Sequence, residues 1–406
     1  MALHGFACAM IVASTLLLLS TDLGPVEARI LNPLQSSEID EGPCKLMVHS
    51  RGYKCEEYEV RTQDDYILQI QRIPEGRTGD KNGGKKQPVL LQHGILMDGI
   101  TWLLNSPEES LAFILADNGF DVWIANTRGT KWSQRHVSLD SSTREYWAWS
   151  WDELVMHDLP SNVDFVYSKT GQKLHYVGHS LGTLVALASL SEGNLVDKLK
   201  SAVLLSPVAY LTHMTTPLGI LCARAFVGEI LSDLLGMAEF NPKGEIIASF
   251  LKEACRHVDC YDLMRTFTGK NCCLNASTVE LFLKYELQPT STKTMVHLSQ
   301  IFRGGLLTKY NYQNEVKNRE NYGQSEPPVY NISNVPHDLP LFIGYGGQDS
   351  ISDERDVNLL LNDLKFHDTN KLKIHYVNNY AHIDFVMGIS AKMMLYNDVI
   401  AFFNLV

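Results

Sequence analysis

Several features that would place the chain in other classes of protein are missing from its 406 residues. There is no block of lysine and arginine, and 46 acidic residues against 35 basic ones give a formal charge of −11. This balance offers no general attraction for nucleic acid, and we expect no nucleic-acid partner. None of the eight cysteines forms a C-x₂-C pair. The cysteine spacing therefore does not favour a structural zinc site, and we expect no metal.

The N-terminal apolar stretch, residues 6–19, is too short for a membrane span, which needs about 20 apolar residues. Small and polar residues follow it up to Ala28. We predict that residues 1–28 are a signal peptide cleaved after Ala28, and that the chain enters the secretory pathway. The sequons at Asn275 and Asn331 are then candidate glycosylation sites. The extracellular space, the vacuole and the lysosome are not distinguished.

Seven cysteines remain after cleavage at this site, so at least one thiol is expected to stay free. In an oxidising compartment Cys44 with Cys55, and Cys255 with Cys260, are candidate disulfides because of their close spacing. Sequence alone leaves the connectivity open.

Alternating apolar and polar residues from Glu57 to Arg72, interrupted at Asp64-Asp65, predict an antiparallel hairpin. Short, continuous apolar runs follow along the chain, with helical patterns between them. Strands of this kind are typical of a mostly parallel sheet whose two faces are covered by helices. The predicted strands are 89–91, 121–125, 174–177, 202–205, 341–345 and 373–377.

The alternation of strands and helices stops after Pro207, and about 130 residues pass before the strand at Leu341. We predict an inserted, mainly helical cap at 208–303, with core segments at 29–207 and 304–406. Within the cap, apolar residues from Leu218 to Leu235 recur at helical spacing and predict one amphipathic helix. Its apolar face could be buried in the cap's own core, or it could meet lipid or substrate.

The pentapeptide Gly178-His179-Ser180-Leu181-Gly182 lies between the apolar run 174–177 and a helical pattern. This arrangement is typical of a nucleophile elbow, in which a sharp strand-to-helix turn exposes the serine oxygen. The glycines allow neighbouring backbone to pack closely against that turn. We expect Ser180 to be a nucleophile, whereas an ordinary glycine-rich turn is the competing interpretation.

A serine nucleophile needs a base and an acid, which follow it in chain order in this type of sheet. Asp349 comes directly after the strand 341–345, at the sheet edge where active sites gather. Asp353 and Asp356 are the alternatives. They fall at the start of the next helix, where carboxylates ordinarily accept hydrogen bonds from free N–H groups.

Among the late histidines, His382 follows the strand 373–377 and precedes the last helix. We expect it to act as general base toward Ser180 and then as general acid. His375 lies inside that strand and His367 lies before it, so neither is well placed. His179, within the elbow, is expected to pack rather than to catalyse.

The oxyanion of an acyl-transfer intermediate needs N–H donors. Leu181, directly after the serine, provides one main-chain N–H. We expect the second from Ile95, because His93-Gly94 follows the strand 89–91 and Gly94 frees the turn.

Taken together, these motifs resemble those of the acid lipase family of α/β-hydrolases, which includes gastric and lysosomal acid lipases and plant triacylglycerol lipases. The resemblance runs from about Cys44 to the C-terminus, and the segment from Cys255 to Cys273 looks closest to plant members. It implies the α/β-hydrolase fold, an inserted helical cap and hydrolysis of triacylglycerols or steryl esters by Ser180, Asp349 and His382. The residues that carry it are Leu91-Gln92-His93-Gly94, Asn126-Thr127-Arg128-Gly129, Tyr146-Trp147-Ala148-Trp149-Ser150-Trp151-Asp152-Glu153, the elbow, Gly346-Gly347-Gln348-Asp349 and His382-Ile383-Asp384-Phe385.

The leading hypothesis is a lipase that acts on long-chain acyl esters at an oil–water or membrane interface, without a cofactor or a stable protein partner. A steryl ester hydrolase and a small-ester carboxylesterase are alternatives, since a triad does not choose the leaving group. A non-catalytic lipid-binding protein on the same fold is a third. We expect Arg128 to form a strand-end ion pair and Trp147, Trp149 and Trp151 to pack in the core.

Overall fold

The computed structural model describes residues 42–79, 84–224, 226–233, 236–244 and 260–406. The predicted signal peptide lies outside these residues. Among the described residues, most strands belong to one sheet and only two short strands form a second. The strands are β1 Glu56–Arg61, β2 Tyr66–Ile73, β3 Pro88–Gln92, β4 Asp121–Ala125, β5 Arg135–His136, β6 Leu174–His179, β7 Leu199–Leu205, β8 Glu239–Phe240, β9 Thr290–Ser291, β10 Leu341–Gly346 and β11 Leu372–Val377.

The main sheet has the strand order β1-β2-β4-β3-β6-β7-β10-β11, and β5 pairs with β2 at its side. β1 and β2 form the predicted hairpin, with Asp65 at a positive φ of 71° in its turn. β2 joins β4 in antiparallel pairing, and every later pair along the sheet, from β4 to β11, is parallel. The prediction of a mostly parallel sheet is confirmed.

Both faces of this sheet are covered, as the apolar strand runs predicted. Successive residues of one strand enter opposite cores, because side chains alternate across a sheet. Leu90 of β3 packs in one core with α-helical residues such as Leu187, whereas Leu91 packs in the other with residues such as Phe402. The sheet is therefore buried on both sides, and its polar edge at the carboxyl ends of the strands remains for a site.

Helices fill the connections between the strands. The helices are α1 Leu111–Asp117, α2 Trp151–Glu153, α3 Leu159–Thr170, α4 Leu181–Ser191, α5 Pro217–Arg224, α6 Val227–Asp233, α7 Cys260–Thr268, α8 Ala276–Tyr285, α9 Thr292–Gly304, α10 Glu315–Tyr322, α11 Glu354–Asp363, α12 Asp384–Met387 and α13 Asn397–Leu405, with shorter 3₁₀ or π turns at Cys44–Val48, His49–Arg51, Gly99–Leu103, Lys131–Ser133, Leu154–Asp158, Ile332–Asn334 and Lys392–Tyr396. Within the described ranges, none of the helices combines the length and the apolar character needed to cross a membrane.

The segment between β7 and β10 contains helices α5 to α10 and the small β8–β9 sheet. The prediction of one amphipathic helix from Leu218 to Leu235 is wrong. Two helices, α5 and α6, are formed instead, and Phe226 between them has a φ of 54°. A helix cannot continue through a residue in the left-handed region, so the chain turns there. Ala225, Leu234 and Leu235 lie outside the described residues.

Two disulfides are present in the described part of the chain. Cys44 is bonded to Cys55, which confirms that pairing. The second joins the adjacent residues Cys272 and Cys273, a pairing that the sequence analysis did not anticipate. The other proposed pair includes Cys255, which lies outside the described residues.

Candidate active site

Ser180 lies at the sharp turn between β6 and α4. Its φ of 53° and ψ of −117° are unusual for a residue with a side chain. A Cβ on Gly178 would lie 2.8 Å from the main-chain carbon of Gly182, and a Cβ on Gly182 would lie 2.7 Å from the carbonyl oxygen of Gln92. Only glycine fits at either position. The strained serine conformation is held by this close backbone packing.

The three side chains proposed as a triad lie together in a hydrogen-bonded row. The Oγ of Ser180 is 2.7 Å from Nε2 of His382. On the other side of the ring, Nδ1 is 2.9 Å and 3.1 Å from the two carboxylate oxygens of Asp349. All three residues are buried. Because Asp349 accepts at Nδ1, that nitrogen carries the proton and Nε2 is left to accept the proton of the serine.

The carboxylate of Asp349 is stabilised in its charged form. Its Oδ1 also accepts the main-chain N–H groups of Ile351 and Ser352, at 2.9 and 2.8 Å. Burial raises the pKa of Asp349, but the charge and hydrogen bond of His382 and these two N–H groups outweigh burial and lower the pKa. The acid therefore stays ionised and fixes the orientation of the imidazole.

The alternative acids are placed elsewhere. Asp353 caps the start of α11, where its Oδ1 accepts the N–H of Arg355. Asp356 accepts hydrogen bonds from the side chain of Thr212 and from His213. Both carboxylates therefore form structural hydrogen bonds away from His382.

The alternative histidines are also engaged away from the serine. His367 donates from Nε2 to the carbonyl oxygen of Leu339, and His375 donates to that of Met394. His179 is buried next to the triad and donates from Nε2 to the carbonyl oxygen of His382 at 2.8 Å. Burial, and then the neighbouring His382, lowers the pKa of His179 to about 3, so its ring is neutral and holds the His382 loop.

The loop after β3 approaches the serine closely. A Cβ on Gly94 would lie 3.0 Å from the Cβ of Ser180. Ile95 and Leu181 line a common small cavity with residues that include Trp149 and Thr290. The two residues expected to supply the N–H donors therefore border the same space.

His93 has a role that the sequence analysis missed. Its Nδ1 donates to the carbonyl oxygen of Gly94 at 2.8 Å, while its Nε2 accepts the N–H of Thr127 at 3.1 Å. Burial lowers the pKa of His93 to about 4, which keeps the ring neutral and preserves both contacts. The ring therefore ties the loop after β3 to the loop after β4.

The β7–β10 segment covers the triad. The end of α7 contacts the loops that carry His382 and Asp349: the N–H of His382 donates to the carbonyl oxygen of Thr268 at 3.1 Å, and Gly269 forms a β-bridge with Asp349. A Cβ on Gly269 would lie 2.0 Å from the carbonyl oxygen of Gln348, so the packing admits only glycine there. Ser180 itself is only 5% exposed.

Asp384 belongs to a motif that carries the family resemblance, but its sequence position predicted no role of its own. Its carboxylate accepts the main-chain N–H groups of Cys272 and Cys273, at 3.1 and 3.2 Å, and that of Ala381 at 2.8 Å. It therefore joins the cover to the loop that carries His382. No sequence pattern signals the contact with Cys272 and Cys273, because these residues lie 112 and 111 positions before Asp384 in the chain.

Arg128 and the three tryptophans, which were expected to have structural roles, lie in the ion pairs and the core that the sequence predicted. Arg128 is buried and pairs with Asp158 at 2.7 Å and with Asp64 at 2.6 Å. Trp147, Trp149 and Trp151 are all buried in one core. These two predictions are confirmed.

Family models and curated relatives match this chain. Residues 44–106 match a family model described as a partial alpha/beta-hydrolase lipase region, and residues 87–386 match the model of the alpha/beta hydrolase fold. Triacylglycerol lipase 2 of Arabidopsis thaliana is 55% identical over 89% of this chain and 88% of its own. Lysosomal acid lipase/cholesteryl ester hydrolase of Homo sapiens is 36% identical over 86% of this chain and 87% of its own.

A solved structure shares the fold at low sequence identity. A soluble variant of monoglyceride lipase from Saccharomyces cerevisiae, in complex with a substrate analog, is 16% identical and has a TM-score of 0.53. The alignment covers 85% of this chain and 94% of that one. The predicted α/β-hydrolase fold and the resemblance stated above are thus confirmed. The chain belongs to the acid lipase family of the α/β-hydrolases and is an ester-hydrolysing serine hydrolase.

Proposed function

We propose that the protein is a triacylglycerol lipase in which Ser180, His382 and Asp349 form the catalytic triad. The observation that carries this proposal is the hydrogen-bonded row from Ser180 Oγ through His382 to Asp349, at 2.7 and 2.9 Å. It lies at the carboxyl ends of parallel strands, where the chemistry of such sheets is located.

In this mechanism His382 Nε2 takes the proton of Ser180 as the serine oxygen attacks the ester carbonyl. The N–H groups of Leu181 and Ile95 stabilise the oxyanion of the tetrahedral intermediate. His382 then gives the proton to the leaving alkoxide, and an acyl-serine remains. Water, activated by the same imidazole, attacks the acyl-serine, releases the fatty acid and restores the serine. No cofactor is needed for these steps.

The substrate class rests on the relatives and on the cover. Relatives that share 55% and 40% of the aligned residues are both named triacylglycerol lipases of Arabidopsis thaliana. A serine buried beneath a largely helical segment suits an enzyme whose cap moves aside at an oil–water or membrane interface. We keep residues 208–303 as the proposed cap. Steryl ester is the second candidate, because the human relative at 36% identity is also named a cholesteryl ester hydrolase.

The secretory pathway is the proposed destination, with secretion and delivery to a vacuole or lysosome as its two branches. The two sequons suit this proposal, since Asn275 and Asn331 are both exposed. Removal of N-glycans from protein made in a eukaryotic host should lower its apparent mass, and Asn275→Gln and Asn331→Gln should each account for part of that change.

The test is a substrate panel of emulsified long-chain triacylglycerol, steryl ester and short-chain ester, measured across pH. Hydrolysis should be fastest on the long-chain triacylglycerol, and Ser180→Ala should lower the rate by about 10⁴-fold or more. Ser168→Ala, an exposed serine on α3, is the matched control and should keep full activity.

A serine-directed phosphonate gives an independent readout. It should label Ser180 in the native protein and leave the Ser180→Ala variant unlabelled. A rate that is flat or falls with acyl length would favour the small-ester carboxylesterase. A folded protein without label at Ser180 would favour the non-catalytic lipid-binding protein.

A further inference from the structure

The loop after β3, which carries Ile95, is attached to the end of α8 by three hydrogen bonds. The N–H of Gln288 donates to the carbonyl oxygen of Leu96 at 2.8 Å. The carboxylate of Glu286 accepts the N–H of Asp98 at 2.8 Å and the hydroxyl of Thr101 at 2.7 Å. The residues immediately after α8 therefore hold the stretch of chain that follows Ile95.

This attachment holds a backbone conformation that is otherwise unfavourable. Leu96 has a φ of 58°, in the left-handed region where a residue with a side chain costs about 1–2 kcal/mol. Such residues persist when their surroundings over-determine them. Leu96 directly follows Ile95, so the attachment fixes the main chain one residue beyond the proposed oxyanion donor.

Two carboxyl groups are buried side by side at this attachment. Asp98 and Glu286 are both completely buried. Asp98 Oδ1 accepts the N–H of Ile100 at 2.7 Å, whereas its Oδ2 has no hydrogen bond in the described part of the molecule. The indole N–H of Trp132 lies near enough to favour the charged form of Asp98, but it makes no hydrogen bond of normal geometry.

Charging both of these buried, interacting carboxyl groups at once is costly, so the pair favours a state in which one of them keeps its proton. Burial raises the pKa of Asp98. Burial, and then the charge of Asp98, raises the pKa of Glu286 well above its usual range. The charged groups that face the pair are Lys243 and Lys131, which oppose this rise only in part.

We propose that Glu286 is a positioning residue for ester hydrolysis, whose hydrogen bonds to the Asp98 N–H and the Thr101 hydroxyl hold the loop of Ile95 in the conformation that receives the oxyanion. The inference rests on the proposed function, because it takes the N–H of Ile95 as an oxyanion donor. It also assigns a task to the buried carboxyls, which the triad itself does not use.

A pH dependence follows. Because the pKa values in the folded protein are raised above the ordinary 3.8 and 4.5, the folded state binds more protons than the unfolded state between these values and the raised ones. The stabilisation is complete below about pH 4 and is lost as pH rises through the raised pKa values. At alkaline pH the pair becomes doubly charged and the loop should be released.

Glu286→Gln and Glu286→Ala test the proposal, with kcat, KM, melting temperature and the pH profile of kcat as readouts. The carboxamide of Glu286→Gln can accept from Asp98 N–H and donate to the Thr101 hydroxyl, yet it holds no titratable proton. This variant should keep kcat at about pH 5 within about threefold and should lose activity at a higher pH than the native protein.

Glu286→Ala removes both contacts, and its kcat should fall about 10²–10³-fold, the usual effect of losing one oxyanion donor, while KM changes little. Glu280→Ala is the matched control, since Glu280 is exposed on the same helix α8. It should leave all four readouts unchanged.

The proposal is overturned if Glu286→Ala lowers only the melting temperature and keeps the native kcat. If Glu286→Ala does not fold, the Glu286→Gln variant is the remaining test, and an alkaline limb of its pH profile identical to that of the native protein overturns the proposed role of Glu286. Failure of the proposed function would be seen differently, as native protein that the phosphonate does not label at Ser180.

Discussion

The main-chain N–H of His382 donates a hydrogen bond to the carbonyl oxygen of Thr268, at 3.1 Å. Thr268 is the last residue of α7, in the segment between β7 and β10. This segment therefore restrains the loop of the proposed base. Any movement of α7 that uncovers the serine must exchange this hydrogen bond for another.

Replacement of Asp349 by asparagine should lower kcat by about 10⁴-fold, because the amide favours the wrong tautomer of His382. The measurement is kcat on long-chain triacylglycerol, with folding followed by circular dichroism. Asp353→Asn, which alters the cap of α11 and an ion pair with the exposed Arg355, is the control and should keep activity within about twofold.

The same carboxylate should influence stability at low pH. Since the pKa of Asp349 is lowered below 3.8, the folded state releases its proton more readily than the unfolded state. Its stabilisation is complete above about pH 4 and is lost as pH falls through the lowered pKa. Urea unfolding at a series of pH values should show this loss in the native protein and not in Asp349→Asn.

Removal of the Asp384 carboxylate should detach the cover from the loop of His382. Asp384→Ala leaves three main-chain N–H groups without their acceptor, and each buried donor left unpaired costs about 1–3 kcal/mol. We expect a lower melting temperature together with a lower kcat. Unchanged kcat in a destabilised variant would show that this anchor supports folding alone.

Close packing at the elbow predicts that Gly182→Ala is destabilising by about 1–3 kcal/mol and nearly inactive, because the added Cβ would lie 2.7 Å from the carbonyl oxygen of Gln92. Gly304→Ala is the matched control, at the end of α9 with nothing within 4 Å of its Cβ. It should be neutral or stabilising by up to about 1 kcal/mol. Unfolding in urea and ester hydrolysis together distinguish the two.

Two ion pairs near the β1–β2 turn, one buried and one exposed, allow the effect of burial on the stability contribution of an ion pair to be measured. Arg128→Ala leaves the buried Asp158 without its partner and should cost about 3–5 kcal/mol. Arg61→Ala breaks an exposed pair with Asp65 and should cost less than about 1 kcal/mol. Equal losses of the free energy of unfolding would contradict this assignment of roles.

The features predicted correctly are those whose signal is local in the chain. The β1–β2 hairpin follows from period-two alternation around Asp64-Asp65, and the buried strands follow from short apolar runs. Asp349 and His382 could be selected because each comes just after a strand, and parallel strands bring their carboxyl ends to one edge. The single long helix predicted after Leu218 failed at Phe226, where the apolar spacing gave no sign of a left-handed turn.

The amino-acid sequence by itself determined the kind of chemistry, since a glycine-flanked serine between strand and helix, with an acid and a histidine at later strand ends, is written in short motifs. Only the tertiary structure decided how that chemistry is held and covered. The Asp384 anchor, the His93 bridge and the Asp98–Glu286 pair join residues 34 to 188 positions apart. Each contact depends on how whole elements pack, and packing is a property of the assembled fold rather than of any window of sequence.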